Sequence, residues 1–239
     1  RSGSGRAPGG DGLPIDFYKH YINLLAPRLL AVYAEAFETG HLPPSSMEAH
    51  IVLLLKPGRE SLACGSYQPL SMLNVDNKIL AKPLAMRLHP MMPMLTYSEQ
   101  AGFVPQRSKS HNLRVLMAIL QCVDPTLHTA AVLLDAEKAF DSLRWSYMRL
   151  VLLNMGLGRM FLRWVDLLYT SPTAWVRLNN RLFRMFPVCR GTRQACPLSP
   201  LIFALITELL IALVRECHSH RGIELTSAQR CEGKVCRAF

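Results

Sequence analysis

AVLLDAEKAFD, residues Ala131–Asp141, is the stretch on which the reading of this chain turns. Apolar residues of strand type, Ala131–Leu134, run straight into Asp135, and Glu137 and Asp141 follow close behind. An aspartate at the end of a buried strand is costly unless a metal, a partner or solvent in a cleft compensates its charge. The acidic knot stands in a basic chain, with 27 Lys and Arg against 17 Asp and Glu. Two-metal phosphoryl chemistry requires that combination, carboxylates holding Mg²⁺ inside a positively charged groove.

The bulk composition narrows the classes further. A chain of 239 residues, half of them hydrophobic, is long enough for a real core and is not globally disordered. A net charge of +10 and a pI near 9.5 point to a polyanionic partner. The longest apolar run, Leu201–Val214, carries Glu208 inside it and is too short to cross a bilayer. The polar, Gly-rich N-terminus shows no signal peptide. Seven irregularly spaced cysteines argue for a reducing compartment rather than a disulfide framework. Cys217, His218, His220, Cys231 and Cys236 fit no standard zinc-finger spacing and read as scattered thiols and surface histidines. The first residue is Arg1, which is expected of a fragment or a processed chain.

Outward from the acidic knot, the pattern predicts mixed helices and strands, an α/β (α+β) chain. Helices are expected over Phe17–Glu38, Asn77–Leu88, Asn112–Val123, Arg144–Asn154, Met160–Tyr169 and Leu201–Val214. Gly40 is a stop signal for the first, and Ser199 and Pro200 suit the N-cap and N1 of the last, with Leu198 and Phe203 as a staple. Strands are expected at Ile51–Leu55, Ala131–Leu134 and Val235–Phe239, with an extended Tyr67–Leu73 and a hairpin of Ala174–Asn179 and Leu182–Val188. Pro83 inside Asn77–Leu88 should kink that helix or cost it about 3 kcal/mol.

Several segments, in order, carry a resemblance: APGGDG, FYKHY, GHLPPS, IVLLLKPGRE, SYQPLSMLNVDNKILAK, EQAGFVPQRS, LLDAEKAFD, LNNRLFRMFPVCRGTRQACPLSPLIFALITELL and GIEL. Together they resemble the reverse transcriptase of non-LTR (long interspersed element type) retrotransposons. The LNVDNKILAK and AEKAFD wording is nearer to that class than to group II intron or telomerase-type enzymes. The resemblance implies right-hand polymerase fingers and a partial palm with the thumb absent. Residues 1–12 are then a flexible segment, 13–128 fingers, and 129–239 a palm cut at its second catalytic motif. It implies RNA-directed DNA polymerase activity, with RNA template, DNA primer and deoxynucleoside triphosphates as partners, no membrane, and two Mg²⁺ ions. Nuclear or cytoplasmic residence follows by analogy.

Roles pass to matching positions only. Asp135 resembles the first metal-binding aspartate, assisted by the Ala136 carbonyl; Phe140 the steric gate that excludes a 2′-OH; Gln194 the glutamine lining the nucleotide pocket; and Lys56 a fingers lysine that approaches the triphosphate. Each residue has a plainer reading. Asp141 reads as an N-cap of the following helix, Glu137 as a solvated turn residue, Phe140 as a core aromatic and Gln194 as a loop residue. Lys56, Arg59, Arg107, Lys109 and Arg114 read as a basic face for phosphates or as plain solvated charge.

Three positions depart from the family pattern. Gln68 replaces a triphosphate-contacting arginine, Ala195 replaces the glycine of the R-Q-G segment, and Pro83 interrupts a helix. Phe239 falls where the family places the aromatic of an aromatic-Ala-Asp-Asp motif, so a polypeptide ending there is expected to lack both aspartates and to be inactive. The alternative to an enzyme is a decayed, non-catalytic remnant that still binds nucleic acid.

Overall fold

The structure is a computed structural model that describes residues 7–123, 130, 132–179 and 181–216. The expected strand at Val235–Phe239, the GIEL segment and the group Cys217, His218, His220, Cys231 and Cys236 lie outside the described residues. Helix α1 (Ile15–His20) and α2 (Ile22–Thr39) occupy the first helical stretch. Tyr21, outside helical ψ, divides them, and its carbonyl accepts from both Leu24 and Leu25 N–H at 3.1 and 3.0 Å. Gly40 ends α2 in the left-handed region at φ 83°, its N–H reaching the Ala36 carbonyl at 2.9 Å.

A short helix α3 (Pro44–Met47) leads into strand β1 (Glu48–Leu55), the middle of the sheet. Strand β2 (Tyr67–Leu73) returns antiparallel to it, with Ile51 opposite Ser71. Helix α4 (Val75–Leu88) follows, then α5 (Met92–Leu95), α6 (Lys109–Cys122), the single turn α7 (Ala139–Ser142), α8 (Trp145–Asn154) and α9 (Arg159–Tyr169). Strand β3 (Thr173–Leu178) then lies parallel to β1, Ile51 beside Val176. Two short strands, β4 (Arg181–Leu182) and β5 (Phe186–Pro187), pair antiparallel with β3, so the expected hairpin forms with a broken second arm. Helix α10 (Ser199–Glu216) closes the described chain. The sheet therefore runs β2-β1-β3-β4 and joins residues from before and after the acidic knot.

The core is helical. Leu80, Ala81, Leu84, Ala85 and Leu88 of α4 meet Met148, Val151 and Leu152 of α8, Leu162, Val165 and Leu168 of α9, and Leu201, Ile202 and Leu205 of α10. These residues recur at three- and four-residue spacing, the interval that puts an apolar stripe on one helix face. Pro83 falls on the opposite, exposed side of α4, and the helix runs through it from Val75 to Leu88. On the outside of α9, Trp164 packs on Phe37 of α2 with ring centroids 4.6 Å apart. Arg163 caps the same Phe37 ring at 4.2 Å.

One expectation fails at the acidic knot. Val132, Leu133 and Leu134 form no strand and are 77%, 82% and 90% exposed. Strand-type side chains become a strand only when a neighbouring ladder takes up their N–H and C=O groups and something covers a face. Among the described residues no strand pairs with them.

Candidate active site

After Asp135 the chain turns at Glu137 and Lys138, and Lys138 adopts the left-handed region at φ 52°. The Lys138 carbonyl accepts from the N–H groups of Asp141 and Ser142, both at 3.0 Å, and this closes the single turn of α7. Asp141 thus lies inside α7, and Arg144 occupies the N-cap position of α8. The expected capping role for Asp141 is corrected: two intervening residues and the extended Arg144 separate it from that helix. Glu137 is a solvated turn residue, 3.9 Å from the Lys138 ammonium.

A second segment, residues 191–196, is fastened onto this turn. Gly191 N–H donates to the Leu143 carbonyl and Thr192 N–H to the Phe140 carbonyl, each at 2.7 Å. Trp145 Nε1–H donates to the Gly191 carbonyl at 2.8 Å. Gly191 has φ +90°, and a Cβ there would stand 3.0 Å from the Asp141 Cα. Only glycine suits both the conformation and the approach.

The next residue, Arg193, is buried, 8% exposed. Its guanidinium donates to the Leu168 carbonyl at 3.0 Å and to the Ser46 and Met47 carbonyls at 3.4 Å. Burial pulls its pKa below the usual arginine value, opposed by the nearby Cys196, Tyr169 and Asp76. Arg193 pins the segment to the ends of α3 and α9. It also delivers Gln194 to its place, where Oε1 accepts from the Ser71 N–H of β2 at 3.1 Å and Nε2 donates to Asp141 Oδ1 at 3.4 Å. The Gln194 amide so bridges the sheet and the turn after Asp135.

The structure brings two of the five sequence-identified residues together. Phe140 and Gln194 share the 191–196 fastening, and the half-exposed Phe140 ring stacks on Phe203 of α10, centroids 4.1 Å apart. Phe203 therefore meets Phe140. Asp135 and Ala136 lie exposed in the segment ahead of the turn. Lys56 lies at the loop end of the β1–β2 hairpin, donating to the Gly65 carbonyl at 3.2 Å. That is about 17 Å along the strand from the Ile51–Ser71 level at which Gln194 docks. Of the basic residues, Lys56, Arg59, Lys109 and Arg114 are exposed. Arg107 is engaged internally, donating to the Pro93, Thr96, Tyr97 and Gln100 carbonyls and to Thr96 Oγ1. Sequence reasoning missed the work of Gly191, Thr192 and Arg193. The one available signal was a glycine next to a cation inside a segment already singled out.

A family model described as reverse transcriptase (RNA-dependent DNA polymerase) matches residues 54–229, most of the chain. The chain belongs to the reverse transcriptase family. Its relatives carry the same stamp and are of the non-LTR retrotransposon type. The Transposon TX1 uncharacterized 149 kDa protein of Xenopus laevis is 33% identical over 212 residues, 88% of this chain. The retrovirus-related Pol polyprotein from type-2 retrotransposable element R2DM of Drosophila melanogaster is 27% identical over 191 residues, 79% of this chain. The RNA-directed DNA polymerase from mobile element jockey of Drosophila funebris is 28% identical over 122 residues, 47% of this chain. The chain spans 16%, 18% and 13% of the lengths of those three relatives.

Reverse transcriptases use divalent metal ions in general, and the donor set tests how far this domain provides for them. Asp135 and Ala136 are exposed and would offer one carboxylate and one carbonyl, short of the six oxygens that Mg²⁺ takes. Asp141 is engaged by Gln194. Among the described residues no three carboxylate, histidine or cysteine side chains gather. The described part of this reverse transcriptase domain accordingly does not make up a complete metal site. No helix among the described residues is long and apolar enough to cross a membrane.

Two of the positions expected to depart from the family pattern have definite locations. Ala195 holds φ +63°, the region a glycine would occupy without strain. Gln68 is an exposed β2 residue opposite Leu54.

Proposed function

We propose that this domain serves RNA-directed DNA synthesis in a retrotransposon protein: nucleotidyl transfer from a deoxynucleoside triphosphate onto a primer 3′-OH, directed by an RNA template. Residues 13–128 act as fingers and 129–239 as part of the palm, with β3–β5 adding to the fingers sheet. Two Mg²⁺ ions, when bound, neutralise the phosphate charge and activate the primer hydroxyl. Asp135 and the Ala136 carbonyl would hold part of that pair, and the rest of the donor set comes from outside the described residues.

The chain's own residues have separable tasks. Phe140, restrained by its stack on Phe203, presents a ring edge where a ribose 2′-OH would stand. Gln194 lines the nucleotide pocket beside it, and Lys56 approaches the triphosphate from the hairpin end, a point charge well suited to phosphate. Exposed Arg59, Lys109 and Arg114 meet template or primer phosphates, so binding weakens with salt.

The observation that supports this reading best is the Gln194 bridge, because it ties the turn after Asp135 to β2 through residues the chemistry would use. The test is extension of a DNA primer on an RNA template by the full-length protein that carries this domain, comparing wild type with Asp135→Ala and Phe140→Ala. Extension that Asp135→Ala abolishes, with ribonucleotide incorporation appearing in Phe140→Ala, supports the reading. Extension unaffected by Asp135→Ala overturns it. A second reading, a nucleic-acid-binding domain without turnover, is favoured by Ala195 at φ +63° and by the neutral Gln68. Salt-dependent RNA binding with no extension by the full-length protein, even after Gln68→Arg and Ala195→Gly are combined, would decide for it.

A further inference from the structure

Phe140 is held at two points, and both holders come from the stretch that runs from Gly191 into α10. Its backbone is fixed by Thr192, whose N–H donates to the Phe140 carbonyl at 2.7 Å and whose hydroxyl reaches the same oxygen at 3.4 Å. Those bonds set where the residue stands and leave its ring free to turn about the side-chain torsions. Its own element does not restrain the ring either, because α7 is a single turn with no buried residue.

What stands against the ring is Phe203, with centroids 4.1 Å apart and planes 30° from parallel. Phe203 has little room to yield. It belongs to α10, and Leu201, Ile202, Ala204 and Leu205 on either side of it are buried in the core. A side chain on a packed helix is positioned more precisely than one on a loop or a lone turn. A ring fixed from the core therefore faces a ring that its own turn leaves loose.

We infer that Phe203 is a positioning residue for sugar selection. Its ring holds that of Phe140 in the orientation that excludes a ribose 2′-OH, and it does so without touching the nucleotide. The inference rests on the reading of Phe140 as the sugar gate and adds a second residue to that gate, on a different element. A stacked aromatic pair favours the held ring over a displaced one by about two- to tenfold. Discrimination between deoxynucleotide and ribonucleotide should depend on Phe203 by about that factor.

The test uses the full-length protein that carries this domain, extending a DNA primer on an RNA template opposite uridine. The kcat/KM for deoxyadenosine triphosphate is divided by that for adenosine triphosphate in wild type, Phe203→Leu, Phe203→Tyr, Phe140→Ala and the Phe140→Ala, Phe203→Leu double variant. Phe203→Leu removes the ring and should lower the ratio about two- to tenfold, whereas Phe203→Tyr keeps the ring and the ratio. The double variant should match Phe140→Ala alone, since Phe203 acts only through Phe140. A merely structural role would slow both nucleotides alike and leave the ratio where it was. Phe203→Met stands in should the leucine variant not fold. No extension by wild type, or a ratio that Phe140→Ala leaves unchanged, overturns the gate reading and this inference with it. A ratio that Phe140→Ala lowers but Phe203→Leu does not overturns the inference alone. So does a tyrosine variant as relaxed as leucine, or a double variant that loses more than Phe140→Ala.

Discussion

Gly191 approaches Asp141 so closely that a β-carbon at 191 would stand 3.0 Å from the Asp141 Cα and 3.1 Å from its carbonyl oxygen. The two belong to segments fifty residues apart, and their contact fixes the distance between the turn after Asp135 and the segment carrying Gln194. The backbone has little freedom to yield there, because hydrogen bonds from Gly191, Thr192 and Trp145 hold the approach. Gly191→Ala should therefore combine the cost of a left-handed alanine with overpacking, about 2–4 kcal/mol in total. Urea denaturation measures it, and a midpoint equal to wild type would show that the two segments can part without loss.

Ala195 presents the opposite case. It is an exposed loop residue at φ +63°, so its methyl contributes no packing and its backbone conformation is disfavoured. Ala195→Gly relieves about 1–2 kcal/mol of strain and gives back part of that through the more flexible unfolded chain. A net gain of about 0.5–1 kcal/mol is expected. A thermal melt that moves down rather than up would mean the methyl is in use.

Arg193 holds its segment by donating to three carbonyls, and those acceptors matter more than its charge. Arg193→Met keeps the volume and leaves them short of donors, at an expected cost of about 2 kcal/mol. Arg193→Lys can reach fewer of them and should fall between. If methionine is as stable as arginine, the buried guanidinium contributes nothing net, as some buried charges do.

These residues mark what the sequence could and could not disclose. The helices of the core were legible because α4, α8, α9 and α10 each repeat apolar residues at helical spacing, and α4 runs through Pro83. Val132–Leu134 carries the right residue types for a strand, yet strand formation needs a partner ladder that residue types do not specify. The parallel pairing of β1 with β3 joins segments far apart in the chain, and no local pattern encodes it. At the candidate site, Phe140 and Gln194 were singled out by their motifs, whereas nothing in the sequence set Arg193 apart from the other arginines. Its burial follows from three carbonyls that only the fold assembles.

Tyrosines in the core give the fold a definite alkaline limit. Tyr169 is buried, with its hydroxyl 3.4 Å from Ser199 Oγ, and burial pushes its pKa up to about 12. Burial, aided by Asp76 and Asp11, does the same for Tyr18. The unfolded chain deprotonates near the ordinary value of about 10, so it loses protons first and the folded state loses relative stability over that interval. The stabilisation is complete below about pH 10, declines between about 10 and 12, and levels off beyond, by about 3 kcal/mol for Tyr169 and less for Tyr18. Urea midpoints measured across that range for wild type and Tyr169→Phe isolate one share, since phenylalanine has no proton to lose. The wild-type curve should fall more steeply, so that the variant gains on it as pH rises. Parallel curves would show that Tyr169 ionises at its ordinary pKa and is not shielded by the core.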